Sequence, residues 1–144
     1  MEESMKSEVD HPSHYTSHPS GVECIEIAEL LSFNLGNAFK YLFRRKEKGA
    51  FGTDCRKAIW YIERESSRDL NDILPKYKFD QNTDDALSRF LVKICQAETP
   101  WMGQAMMQIV FFRTIEDLGH ARWCIEQELK MVSGGAGPVP PTAA

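Results

Sequence analysis

Residues 34–64 read NLGNAFKYLFRRKEKGAFGTDCRKAIWYIER, and the spacing within this stretch decides the fold. Ala38, Phe39, Leu42 and Phe43 form one apolar stripe at helical spacing, so a helix is predicted from Leu35 to Lys48 with Asn34 as its cap. Its last turn (Arg44, Arg45, Lys46, Lys48) is basic, as a helix C-terminus favours, and Gly49 ends it. KGAFGTD is a tight glycine loop. Thr53 then caps a longer helix carrying Ala58, Ile59, Ile62 and Leu70, with Pro75 marking its end.

Upstream, His11 to Gly21 is a loop punctuated by prolines, each of which disfavours helix at the residue before it. Ser20 and Glu23 form a capping-box pattern ahead of a short amphipathic helix from Val22 to about Phe33. Downstream of Pro75 comes a polar linker, KYKFDQNT. Helices are expected at about Asp84–Ala97, Gln104–Asp117 and His120–Val132, with Gly119 breaking or bending the last pair. WMGQAMMQIVFF is apolar on more than one face, which suits either a fully buried helix or an oligomer interface. No segment alternates as a strand would. The expectation is an all-α, compact bundle of about five to six helices with a loop-rich N-terminal segment. Along the chain, 1–10 is read as a disordered start and 11–74 as the segment bearing the chemistry. Residues 75–132 read as the helical second half of the same domain, a candidate oligomer interface, and 133–144 as a low-complexity, disordered tail.

Composition agrees with one soluble domain: 144 residues, 42% hydrophobic and 26% charged. No apolar run approaches the ~20 residues of a membrane span. The start MEESMKSEVD is unlike a secretory signal, so a cytosolic protein is expected. Cys24, Cys55, Cys95 and Cys124 are widely spaced, give no zinc signature, and read as reduced, structural thiols.

The chain's net charge of −4 hides a basic block. Between Lys40 and Lys57, seven basic residues face only Glu47 and Asp54. Such a block in an acidic chain fits a compact anionic ligand rather than a long nucleic-acid track, or else a solvated helix face. Lys40, Arg44 and Lys48 share one helix face, with Tyr41 and Arg45 in the next row. Lys57, Tyr61 and Arg64, with Trp60 beside them, line the second helix. A hairpin through KGAFGTD brings these cations together near its turn, where cations can neutralise phosphates and an aromatic ring can stack on a base. GxxxxGK[ST], GxGxxG and a nucleophile elbow are all missing from the sequence. His11, His14 and His18 lie in a loop, open to metal, phosphate or proton-transfer roles or to plain exposure. His18 reads as spacing and capping, and His120 as structural. Glu23, Glu26 and Glu29 give ExxExxE, as in all-α nucleotide pyrophosphohydrolases. The second acidic pair, Glu65 and Asp69, has the wrong spacing.

The markers HPSHY, GVECIE, LGNAFKYLFR, KG and D-x-x-KA-x-WY-x-x-RE occur in order between Val9 and Glu65. Together they resemble a family of small phage proteins of formerly unknown function that includes the dTMP/dGMP kinase of T-odd coliphages. The resemblance implies a nucleotide site without a P-loop, in the cytosol of an infected bacterium. At the matching positions, side-chain chemistry assigns catalytic roles to His14, Lys40, Arg44 and Lys57. Substrate contacts fall to His11, Ser13, Tyr15, Asn37, Tyr41, Lys48 and Tyr61. Glu23 and Asp54 are the candidates for Mg²⁺, bound with the nucleotide phosphates. The expected partners are a deoxynucleoside monophosphate, a triphosphate donor and further copies of the chain, with no membrane and no long nucleic acid. The leading expectation is a nucleoside monophosphate kinase. The alternatives are a non-catalytic protein that sequesters nucleotides or nucleotide signals, and the pyrophosphohydrolase.

Overall fold

The computed structural model describes residues 18–47, 49–69 and 79–132. Among them are six helices and no strand: α1 (Ile25–Ala28), α2 (Phe33–Arg44), α3 (Phe51–Ser66), α4 (Gln81–Ala97), α5 (Pro100–Phe111) and α6 (Ile115–Val132). The all-α bundle expected from the periodicity is what forms. No helix among the described residues is long and apolar enough to cross a membrane. The stretches read as a disordered start and a disordered tail lie outside the described residues, as do 76–78 of the linker, whose last residues, 81–83, already belong to α4.

The helix boundaries differ from the sequence reading for local reasons. The first helix is one turn long, because the Glu26 carboxylate accepts from the Glu23 N–H and the chain then turns at Glu29–Leu31. Ser20 does not cap it; its hydroxyl instead accepts from the Val22 N–H. Helix α2 is capped by Ser32 rather than Asn34, the Ser32 hydroxyl accepting from Leu35 N–H. It stops at Arg44, and Gly49 takes the positive φ of 66° that the turn into α3 requires. Helix α3 starts at Phe51, two residues before Thr53, and ends at Ser66, well short of Pro75. Asp80 caps α4 through Thr83 N–H, and Thr99 with Pro100 at the first position starts α5 earlier than expected. Thr114 and Asp117 form a reciprocal capping box, each side chain accepting the other's backbone N–H, so α6 begins at Ile115 and runs unbroken through Gly119.

Two antiparallel hairpins, α2/α3 and α5/α6, pack together, with α4 against α5. The α2/α3 pair is closed at both ends. At one end Arg44 meets Asp54 at 3.5 Å. At the other, the fully buried Glu65 carboxylate accepts from Ser32 Oγ (2.5 Å), Asn34 Nδ2 (3.1 Å) and Arg68 Nη1 (3.1 Å). A carboxylate at the N-terminus of α2 also suits that helix's dipole. The stripe Leu35, Ala38, Phe39, Leu42 and Phe43 is buried against Cys55, Ala58 and Ile62 of α3.

Helix α5 is the central one. Trp101, Met102, Ala105, Met106, Ile109 and Val110 are all buried. Its several apolar faces are covered by α2, α4 and α6 of the same chain, the first of the two readings of WMGQAMMQIVFF. Each large side chain buried there contributes about 1.5–3 kcal/mol. Gly103 faces α4, where a Cβ would stand 3.4 Å from Cys95 Sγ, an ordinary van der Waals contact.

Candidate functional site: a cationic and aromatic face of the first hairpin

On α2, residues 33, 37, 40, 41 and 44 recur at intervals of three and four, so they form one strip along the helix. The antiparallel α3 lays Lys57 and Tyr61 beside it. The two strips meet at the Tyr41 ring. Lys40 Nζ lies 4.5 Å from its centroid, the Arg44 guanidinium 4.8 Å and Lys57 Nζ 5.1 Å. Tyr61 stacks beside Tyr41 with centroids 6.0 Å apart and planes 15° off parallel. Like charges brought within roughly a Debye length, about 8 Å at physiological salt, repel one another. The Tyr41 π-cloud offsets part of that cost, as does Asp54, whose buried carboxylate pairs with Arg44.

Asn37 secures the strip along α2. Its Nδ2 donates to Phe33 O (2.7 Å), and its Oδ1 accepts from Lys40 Nζ (3.1 Å). Cys24 lies close enough for Lys40 and Arg44 to favour its thiolate. Burial outweighs them and pushes its pKa up to about 12, so it remains a thiol.

Of the residues singled out in the sequence, Asn37, Lys40, Tyr41, Arg44, Asp54, Lys57 and Tyr61 thus come together on one face. His11, Ser13, His14, Tyr15 and Lys48 lie outside the described residues. Glu23 sits ahead of α1, its backbone N–H held by Glu26. Among the described residues no group of three or more His, Cys, Asp and Glu side chains is placed to hold a metal ion. Asp54 is buried against Arg44, an arrangement that fits an ion pair rather than a metal ligand. Glu65 is enclosed by its three donors, which removes it from the acidic pair a pyrophosphohydrolase would use.

A second polar cluster has no counterpart in the sequence reading. Arg45, 1% exposed, is not a solvated C-terminal cation. Its Nη2 donates to Glu98 Oε2 (2.6 Å), its Nε to Glu128 Oε2 (3.1 Å) and its Nη1 to Leu42 O (3.0 Å). Glu98 Oε1 also pairs with His18 Nε2 at 2.6 Å. The His18 Nδ1 accepts from the Ser20 N–H (3.1 Å), so the proton belongs on Nε2, which donates to Glu98. The imidazole stacks on Phe43 at 4.4 Å. The Thr99 hydroxyl donates to Glu128.

These hydrogen bonds and the nearby Arg45 charge outweigh the upward push of burial and hold the Glu98 pKa down to about 2. His18 is therefore not a spacer; it ties the residues just ahead of α1 to the second half of the chain. Arg45 had one legible signal, since Ala38, Leu42 and Arg45 follow the buried stripe of α2. Glu128 likewise continues the stripe of Ala121, Cys124 and Ile125.

No curated protein and no solved structure matches the chain. The match found covers residues 9–63, under half of the chain and nearly the stretch from Val9 to Glu65 that carries the markers above. It ends within α3, so it takes in the whole cationic face and, of the buried ionic cluster, only His18 and Arg45. Over those residues the chain is similar to a family described as a protein of unknown function, DUF3310.

Proposed function

We propose that this face binds the phosphates of a nucleotide, and that the chain acts as a nucleotide kinase without a P-loop. The observation that carries the reading is the convergence of Lys40, Arg44 and Lys57 on one aromatic ring, with a second ring stacked beside it. Phosphoryl transfer is mostly positioning and charge stabilisation, and three cations held in register by a packed hairpin supply both. Lys40 and Lys57 bind phosphate oxygens, and Arg44 adds charge while anchored by Asp54. The transfer from a triphosphate to a deoxynucleoside monophosphate rests on the family resemblance. Any Mg²⁺ arrives with the nucleotide phosphates, since Asp54 is already engaged. On the same resemblance the chain works in the host cytosol, and a homo-oligomer assembled through its second half completes the reading, which sedimentation of the purified protein checks.

One observation favours a second reading, in which the nucleotide is sequestered without turnover. Asp54, the carboxylate paired with one of these cations, is tied up by Arg44 and so is poorly placed to take a proton from an attacking phosphate or sugar oxygen. The two readings separate in one experiment. Purified protein is incubated with each deoxynucleoside monophosphate and a triphosphate donor, with and without Mg²⁺, and the products are resolved by ion exchange. New diphosphate supports the kinase, and tight binding without product supports sequestration. Absence of both binding and product refutes the proposal.

A further inference from the structure

Two large aromatic side chains stand in solvent next to the cationic face: Phe33, 77% exposed, and Trp60, 58% exposed. Both lie edge-on to Tyr61, with centroids at 6.2 Å and 5.0 Å. Tyr61 in turn stacks on Tyr41, so Phe33 and Trp60 continue the same aromatic row outward from the cations. We propose that Phe33 and Trp60 form the platform on which the base of the bound nucleotide stacks, an inference that rests on the nucleotide reading above.

Three observations support it. Tyr41 is ill suited to take the base, because Lys40, Arg44 and Lys57 lie over its ring and Tyr61 stacks beside it. Phe33 and Lys40 are seven residues apart on one helix strip, about 10 Å along the axis at 1.5 Å per residue. That separation matches a ligand with a charged end and a flat apolar end, and Asn37 bonds to both ends of the strip. Exposed aromatics also accept any base, since every base has a π-face. The chemistry selects for the presence of a base, with a preference for purines through their larger ring area, rather than for one base edge.

The test uses the full chain and two probes, dGTP and inorganic tripolyphosphate, titrated calorimetrically into the wild type, Phe33→Ala and Trp60→Ala. Both side chains are exposed, so the variants should fold, and far-UV circular dichroism checks that they do. Each variant is expected to bind dGTP about ten- to a hundredfold more weakly and tripolyphosphate unchanged. Wild-type binding of dGTP with both variants within twofold overturns the platform and leaves the nucleotide reading standing. Equal losses for both probes overturn it too, because damage to the fold or to the phosphate site does not depend on the base. A fall in sedimentation mass in the variants, with dGTP affinity kept, assigns these rings to contacts between copies instead. A wild type that binds neither probe removes both the platform and the function it rests on.

Discussion

Replacing Arg45 with methionine should be among the most destabilising single changes in this protein. The substitution keeps much of the side-chain volume but removes the charge between Glu98 and Glu128, both of them almost wholly shielded from solvent. His18 still donates to Glu98 and Thr99 to Glu128, yet neither bridges the two carboxylates as Arg45 does. Breaking a buried ion pair by removing one partner costs about 3–5 kcal/mol. The lowering of the Glu98 pKa, held down against burial by the His18 hydrogen bond together with Arg45, is of the same size. A fall from 4.5 to about 2, at 1.36 kcal/mol per unit, is worth about 3 kcal/mol. Because the folded pKa is lowered, this stabilisation is fully present above pH 4.5 and is lost as pH falls towards 2. Without Arg45, burial pushes Glu98 the other way, so the variant takes up its proton at higher pH and recovers part of its deficit. Urea unfolding followed by far-UV circular dichroism should therefore show a gap of about 3–5 kcal/mol at pH 7, narrowing at pH 4. The melting temperature at pH 7 should fall by roughly 10–15 °C. A gap below about 1 kcal/mol at pH 7, or one equally large at pH 4, would refute the reasoning.

Three further outcomes are expected. Gly36→Ala should destabilise the protein even though alanine is the better helix former by about 1 kcal/mol, because its Cβ would meet Ala28 O at 2.9 Å. Stability equal to or above the wild type in the same urea assay would contradict that close approach. Arg44→Ala should cost about 2 kcal/mol by stranding the buried Asp54 carboxylate, so its thermal melt should shift while that of Lys57→Ala, at an exposed position, should not. The Cys24, Cys55 and Cys124 thiols, with pKa values pushed to about 12, 12 and 11 by burial, should resist a thiol reagent at pH 8 in the folded state. The half-buried Cys95 should react first, and rapid labelling of Cys24 in folded protein would count against its burial.

The hairpin and its convergent cations were legible in the sequence because both are local. Intervals of three and four residues put Lys40, Tyr41 and Arg44 on one strip, and a six-residue connection (45–50) forces Lys57 and Tyr61 back alongside it. The buried cluster was much less legible. His18, Arg45, Glu98 and Glu128 are up to 110 residues apart in the chain, and pairing at that distance leaves no periodic trace. Arg45 in particular is masked by its neighbours: in RRKEK it looks like one more solvated cation, and only its register on the Ala38–Leu42 stripe betrays that it points inward. Helix starts slipped by two to five residues for a similar reason. Ser32, Asp80 and Thr114 cap through side-chain bonds that several nearby polar residues compete to make, and tertiary contacts such as Ser32 to Glu65 decide between them.

The central claim is that the Lys40–Arg44–Lys57 face holds nucleotide phosphates. Its most direct test is the equilibrium affinity of a deoxynucleoside triphosphate for the wild type and for Lys40→Ala/Lys57→Ala, a variant that leaves the Arg44–Asp54 pair intact. Loss of at least tenfold in affinity, with an unchanged thermal melt and a wild-type affinity that weakens with added salt, is the expected result. A folded double variant that binds the nucleotide as tightly as the wild type would contradict it.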